Sequence, residues 1–162
     1  VLNFVLWGVQ IFLALFFFGG SIPKLMGRGL ERWTGFGDLP RAQVIFIGLA
    51  EIVGSAGLVL PMATSIRAWL TPLAALGLAI IVLMAAGFHL RANEHLEALE
   101  TGLWASIATL VAIGRWDLVA PRTGVSPKLV VVALGGLVPA VIVNLVILLR
   151  RPPRVPNSGL IA

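Results

Sequence analysis

Long apolar runs, each close to the length of a bilayer-spanning helix, alternate along this chain with short segments that carry most of its charged residues. A hydrocarbon core of about 30 Å requires roughly 20 apolar residues in a helix. Runs of that kind predict spans over residues 1–23, about 42–60 (closed by Pro61), 68–88 and 129–149. A further run, Thr101 to Gly114, is too short to cross alone at about 1.5 Å per residue. Extended back to about Glu94 it becomes long enough, and Glu94, Glu97 and Glu100 then occupy its first turns, where the helix dipole favours carboxylates. Trp104, Trp116 and Arg115 suit interfacial positions on that helix. The pattern therefore predicts five crossings, and a surface-lying helix is the alternative for the fourth.

Composition agrees with the pattern. Of 162 residues, 59% are hydrophobic and 12% charged, against about 25% charged in an ordinary soluble domain. A net charge of +5 would suggest nucleic-acid affinity in a soluble protein. Here the basic residues lie between apolar runs, where they set orientation and meet anionic headgroups. With five crossings, Lys24, Arg28, Arg32, Arg41, Arg91, Arg150, Arg151 and Arg154 fall on one side, and Arg67, Arg115, Arg122 and Lys128 on the other. The larger group predicts a cytoplasmic C-terminus and an external N-terminus. The first run lacks the basic flank and cleavage site of a secretory signal, so it reads as a retained helix; Val1 in place of an initiator Met points to processing or an incomplete start. There is no cysteine, which excludes disulfides, CxxC chemistry and iron–sulfur ligation from this chain.

The connections add detail. "GRGLERWTGFGDLP" reads as an interfacial loop, and "PMATSIR" as a tight turn that makes spans two and three antiparallel neighbours. Gly48, Gly54, Ser55 and Gly57 on one and Ala74, Ala75, Gly77 and Ala79 on the other would let the two backbones approach closely. Phe16, Phe17 and Phe18 most simply face lipid. "RRPPRVPNSGLIA" reads as a basic tail.

"GGSIPKLMG", "GLAEIVGSAGLVLP", "LTPLAALGLAIIVLMAAGFHLR" and "VAIGRWD", in this order over about residues 10–117, resemble the DoxX-like family of small membrane proteins. The resemblance implies a four-helix membrane bundle and leaves the activity open, since its members include a membrane subunit of a quinone-linked oxidoreductase, partners of redox enzymes and an assembly chaperone. The chain departs from the family pattern in a longer loop after span three, "RANEHLEALETG", and in the fifth apolar run.

Glu51 is the acidic residue of span two. Ionised carboxylates at a helix centre cost about 2.5–3.5 kcal/mol on insertion scales, so such groups turn inward and find partners. Lys24 and His89 lie on the same side by topology, and all three fall within the family's motifs. One reading is structural: Glu51 is protonated or paired with Lys24, and His89 is hydrogen-bonded to a loop carbonyl. The other is a polar pocket at membrane depth that takes a quinone-like headgroup or a lipid, with Glu51 or His89 as proton partner. His89 and His95 would face opposite ways in one continuous helix, so neither a metal site nor a haem is expected from this chain alone, and no catalytic set is visible. Gln10 and Asn144 read as interhelical hydrogen-bond partners.

The expectation is an all-α polytopic membrane bundle: a four-helix core over residues 1–118, a loop and added C-terminal helix over 119–150, and a basic tail over 151–162. The leading functional expectation is an accessory or structural subunit of a larger, redox-type membrane complex in a bacterial cytoplasmic membrane. Its partners would be lipids and other membrane subunits, with no nucleic acid and no independent catalytic activity. The alternative is a quinone- or lipid-binding module, or an oxidoreductase component, that uses Glu51 and His89.

Overall fold

A computed structural model describes residues 1–28 and 39–119. Among these, four long apolar helices follow one another: α1 (Leu2–Met26), α2 (Arg41–Ala63), α3 (Leu70–Arg91) and α4 (His95–Gly114), with a short 3-10 turn at Trp116–Leu118. Each is long and apolar enough to cross a membrane. Successive helices are antiparallel neighbours, and α4 returns beside α1 to close an up-down-up-down bundle. The expected fifth helix (129–149), the basic tail and most of the "GRGLERWTGFGDLP" loop lie outside the described residues.

The helices bury small residues and expose large ones, the arrangement expected where lipid is as apolar as any side chain and association depends on close packing. On α4, Ala98, Ala105, Ala108 and Ala112 are buried, while Leu96, Leu99, Leu103, Leu110 and Ile113 face outward. Packing between α2 and α3 is tightest at Gly54 and Gly57, where an added Cβ would come within 2.6 Å of the Leu78 side chain and of the Ala74 Cβ respectively. Two members of the expected small-residue face behave differently. Gly48 turns instead to α1, against Lys24 and Leu25, and an added Cβ on Gly77 would meet nothing.

Several boundaries move, for identifiable reasons. Proline removes one backbone donor and crowds the carbonyl four residues earlier, yet α1 continues through Pro23 and α2 through Pro61. Side chains bond carbonyls next to the two that the prolines leave without a donor, Gly19 O and Gly57 O: Lys24 Nζ donates to Gly20 O (3.1 Å) and Gln10 Nε2 to Leu58 O (2.7 Å). α1 ends at Gly27, which adopts φ 68° and donates its N–H to Pro23 O, a left-handed cap that glycine enters at little cost. Arg41, at the start of α2, donates its guanidinium to the carbonyls of Lys24 and Leu25. A cation suits a helix C-terminus, and this one fastens the end of α1 to the beginning of α2. The segment "RANEHLEALETG" is no extended loop. Its connector is only residues 92–94, closed by Glu94 N–H donating to His89 O (2.9 Å), and the rest is the first part of α4.

Phe16 and Phe18 are exposed, as expected of lipid-facing residues, but Phe17 is not. Phe17 is buried in the core with Leu13, Leu58, Leu78 and Val82. Phe16 lies against Trp104 with ring centroids 4.5 Å apart, and Phe12 against the same indole at 5.8 Å. Trp104 is thereby a seam between α1 and α4 rather than an interfacial anchor, with its Nε1–H donated to Glu100 Oε1 (3.2 Å).

Candidate functional site

Lys24 and Glu51 meet across α1 and α2. The Lys24 ammonium lies 2.9 Å from Oε1 and 2.7 Å from Oε2 of Glu51, with both residues buried. The geometry follows from local features already described. Continuation of α1 past Pro23 directs Lys24 inward, and Gly48, one turn before Glu51, has no side chain to hold the Lys24 stem away. Ser55 Oγ donates to the Glu51 carbonyl (2.7 Å) and fixes the next turn. Burying one of these charges alone would be costly, so each accounts for the presence of the other.

Beside this pair the bundle opens into a cavity of about 350 Å³, within the usual range for small-molecule sites of roughly 300–1,000 Å³. All four helices contribute. Phe16, Phe17, Phe46, Phe88 and Trp104 supply most of the aromatic wall, Ile81, Val82, Met84 and Ala85 the aliphatic wall, and Lys24, Glu51, His89, Thr101 and Gln43 the polar groups. The three residues singled out by sequence therefore line one space, but they are not one cluster: Lys24 and Glu51 are in direct contact, and His89 is engaged elsewhere. His89 Nδ1 lies 2.8 Å from Glu94 Oε2, so its partner is a carboxylate at the α3–α4 corner and not a loop carbonyl. His95 is exposed at the start of α4.

A second buried polar cluster sits at the opposite end of the bundle. Arg115 follows α4, and it is buried rather than spread among headgroups. Its Nε donates to Gln10 Oε1 (2.8 Å), Nη1 to Asn3 Oδ1 (2.6 Å) and Nη2 to the Asn3 carbonyl (3.4 Å), and the guanidinium carbon is 5.8 Å from the Trp7 ring centroid. Gln10 passes the connection on to α2 through Leu58 O. The sequence reading missed this cluster as a unit, although Gln10 in an apolar run and the arginine of "VAIGRWD" were its two visible signs.

These features define an integral membrane protein: a four-helix bundle with a buried Lys–Glu pair at the wall of an aromatic-lined cavity. Residues 8–112, from the second turn of α1 to the last turn of α4, match the DoxX-like family, and the chain belongs to that family. No curated protein and no solved structure matches the chain.

Proposed function

We propose that this protein is a membrane module that holds a small amphipathic ligand, of the size of a quinone-like headgroup or a lipid fragment, in the cavity beside Lys24 and Glu51. The observation that carries this reading is the placement of the buried ion pair at the wall of an otherwise apolar, aromatic-lined space. A pair serving only to join α1 and α2 needs no open volume next to it. An apolar cavity with a few convergent polar groups is the usual form of a ligand site, and ionisable groups within a membrane span mark functional positions. Glu51 and His89 are the proton partners such a ligand would meet.

The test fills the space without touching the pair. Ala85 is half-buried on the cavity wall, and Ala85→Phe places a ring where the ligand would lie. The variant is expected to insert and melt like the parent in detergent, yet to lose any lipid-soluble compound that co-purifies with it, read by mass spectrometry. Equal retention of that compound by the variant would remove the cavity from the explanation.

A second reading is the accessory-subunit role. The outward stripe Leu96, Leu99, Leu103, Leu110 and Ile113 on α4 supports it, as a face suited to lipid or to a neighbouring helix. Co-migration with larger membrane proteins in mild detergent is its expected signature; migration alone would count against it. The proposed orientation places the Lys24 end in the cytoplasm, following the basic residues. Cysteines introduced at Ala92 and Thr64, which lie at opposite ends of α3 and α2, should label from the cytoplasmic and external sides respectively.

A further inference from the structure

The hydrogen-bonding inventory around the cavity is lopsided. Lys24 already has three oxygens around its ammonium: both from Glu51, and Gly20 O at 3.1 Å. The Thr101 hydroxyl donates back to the carbonyls of Glu97 (2.8 Å) and Ala98 (2.9 Å). The Trp104 indole N–H is directed to Glu100. Among the described residues, these buried or half-buried lining side chains have committed their donors, and Gln43 is exposed at the first turn of α2.

Acceptors, in contrast, remain. A carboxylate has about four lone-pair sites, and the two contacts from Lys24 leave each oxygen of Glu51 able to accept again. His89 Nδ1 already faces the Glu94 carboxylate at 2.8 Å. At the Glu51 end of the cavity, a ligand bearing only carbonyl or ether oxygens would have to displace a bond of Lys24 to find a donor. One bearing a hydroxyl or N–H would add a bond while leaving the pair intact.

Resting on the cavity reading above, we infer that this site selects ligands by a hydrogen-bond donor: a neutral aromatic ring carrying a hydroxyl, oriented so that its O–H reaches Glu51 and its face lies among Phe16, Phe88 and Trp104. The aromatic wall accommodates the ring, the carboxylate accepts from the hydroxyl, and the absence of net charge in the Lys24–Glu51 pair disfavours a charged ligand in a low-dielectric space.

Three probes of near-equal size separate donor from shape: 2-naphthol, its methyl ether 2-methoxynaphthalene, and the ketone 2-acetylnaphthalene. Binding is measured by calorimetry to the intact protein in lipid nanodiscs, with the Ala85→Phe protein in identical discs as the blank for partition into lipid. The naphthol should bind about tenfold or more tightly than either analogue, the size of effect expected of one hydrogen bond to a charged acceptor. Equal or tighter binding of the ether or ketone, abolished by Ala85→Phe, would overturn donor selection while leaving the cavity as a ligand site. Failure of all three to exceed the blank would overturn both. The ranking of the three probes is read on the unaltered protein, so donor selection does not depend on a variant folding; only the partition blank uses Ala85→Phe. Glu51→Gln, where it folds, should reduce the preference for naphthol to within about threefold, since the amide now offers a donor to the ketone.

Discussion

The two ends of the bundle each bury a cation, and they treat it in opposite ways. At one end Arg115 is hydrogen-bonded to the neutral amide oxygens of Gln10 and Asn3 and to the Asn3 carbonyl, with Asp117 near enough to act on it by charge but not bonded to it. At the other, Lys24 is neutralised by a carboxylate. Arg115 draws α4 and α1 together, and Gln10 extends the connection to α2, so three helices converge on one network. The ion pairs at the Lys24 end each run within a hairpin: Lys24–Glu51 within α1 and α2, His89–Glu94 at the turn from α3 to α4. The bundle is thus tied across at one end and tied within its halves at the other, and the cavity lies between those halves. Planar guanidinium with five fixed donors suits a hub for several acceptors, whereas an ammonium on a flexible stem suits a single carboxylate. The contrast suggests a division of labour, with a network at the Arg115 end that serves stability alone and a pair at the Lys24 end that both joins two helices and faces the ligand.

The largest expected effect comes from leaving half of the buried pair behind. Glu51→Ala should destabilise the protein by about 3–5 kcal/mol, as for a strongly buried ion pair losing one partner, read as a fall in melting temperature in detergent. Glu51→Gln, which keeps shape and hydrogen bonding, should cost clearly less. The double variant Lys24→Met/Glu51→Leu should recover much of the loss but bind no hydroxyl-bearing probe. If Glu51→Ala melts with the parent, the pair does not hold this end and the comparison collapses.

Next in size is Arg115→Ala, which removes three hydrogen bonds to a charged donor and strands Gln10. A loss of about 2–3 kcal/mol is expected, with probe affinity unchanged in the folded fraction. Arg115→Lys should lie between the two, because one ammonium cannot span Asn3 and Gln10 as the guanidinium does. A drop in probe affinity that matches the drop in stability would show the ends to be coupled and would end the proposed division.

A third comparison probes the packing between the ends. Gly57→Ala forces a methyl against the Ala74 Cβ, which cannot swing aside, and should cost about 1–3 kcal/mol. Gly77→Ala enters open space and should be neutral or stabilising by up to about 1 kcal/mol, since glycine is the poorer helix residue. Thermal unfolding of the two variants side by side checks the difference. The smallest effect belongs to the α3–α4 corner. Glu94→Gln weakens a partly exposed pair with His89 and should change stability by about 1 kcal/mol or less; a larger loss would make this corner a third anchor.

Spacing and composition were sufficient for four of the helices, because a bilayer imposes a length and a polarity that can be counted residue by residue; the family was legible only through the four motifs that resemble it. Spacing and composition also made Lys24 a candidate partner for Glu51, since a lone carboxylate in an apolar run requires a partner and few were within reach, but a protonated Glu51 stayed open until the structure brought the two together. Helix ends at Pro23 and Pro61 were not legible, because whether a helix survives a proline depends on how the surrounding bundle holds the next turn, and the contacts that do so, Lys24 with Glu51 and Gln10 with Leu58 O, run between helices. The inward turn of Phe17 and the seam at Trp104 were equally hidden: every face of these helices is apolar, so hydrophobicity cannot tell the core from the lipid. Sequence determined that this chain builds membrane helices and must compensate its charges. Tertiary structure alone decided that small residues draw the hairpins together at one end, that Arg115 closes that end, and that a cavity remains beside Glu51, because these follow from the shapes of packed side chains and not from their polarity.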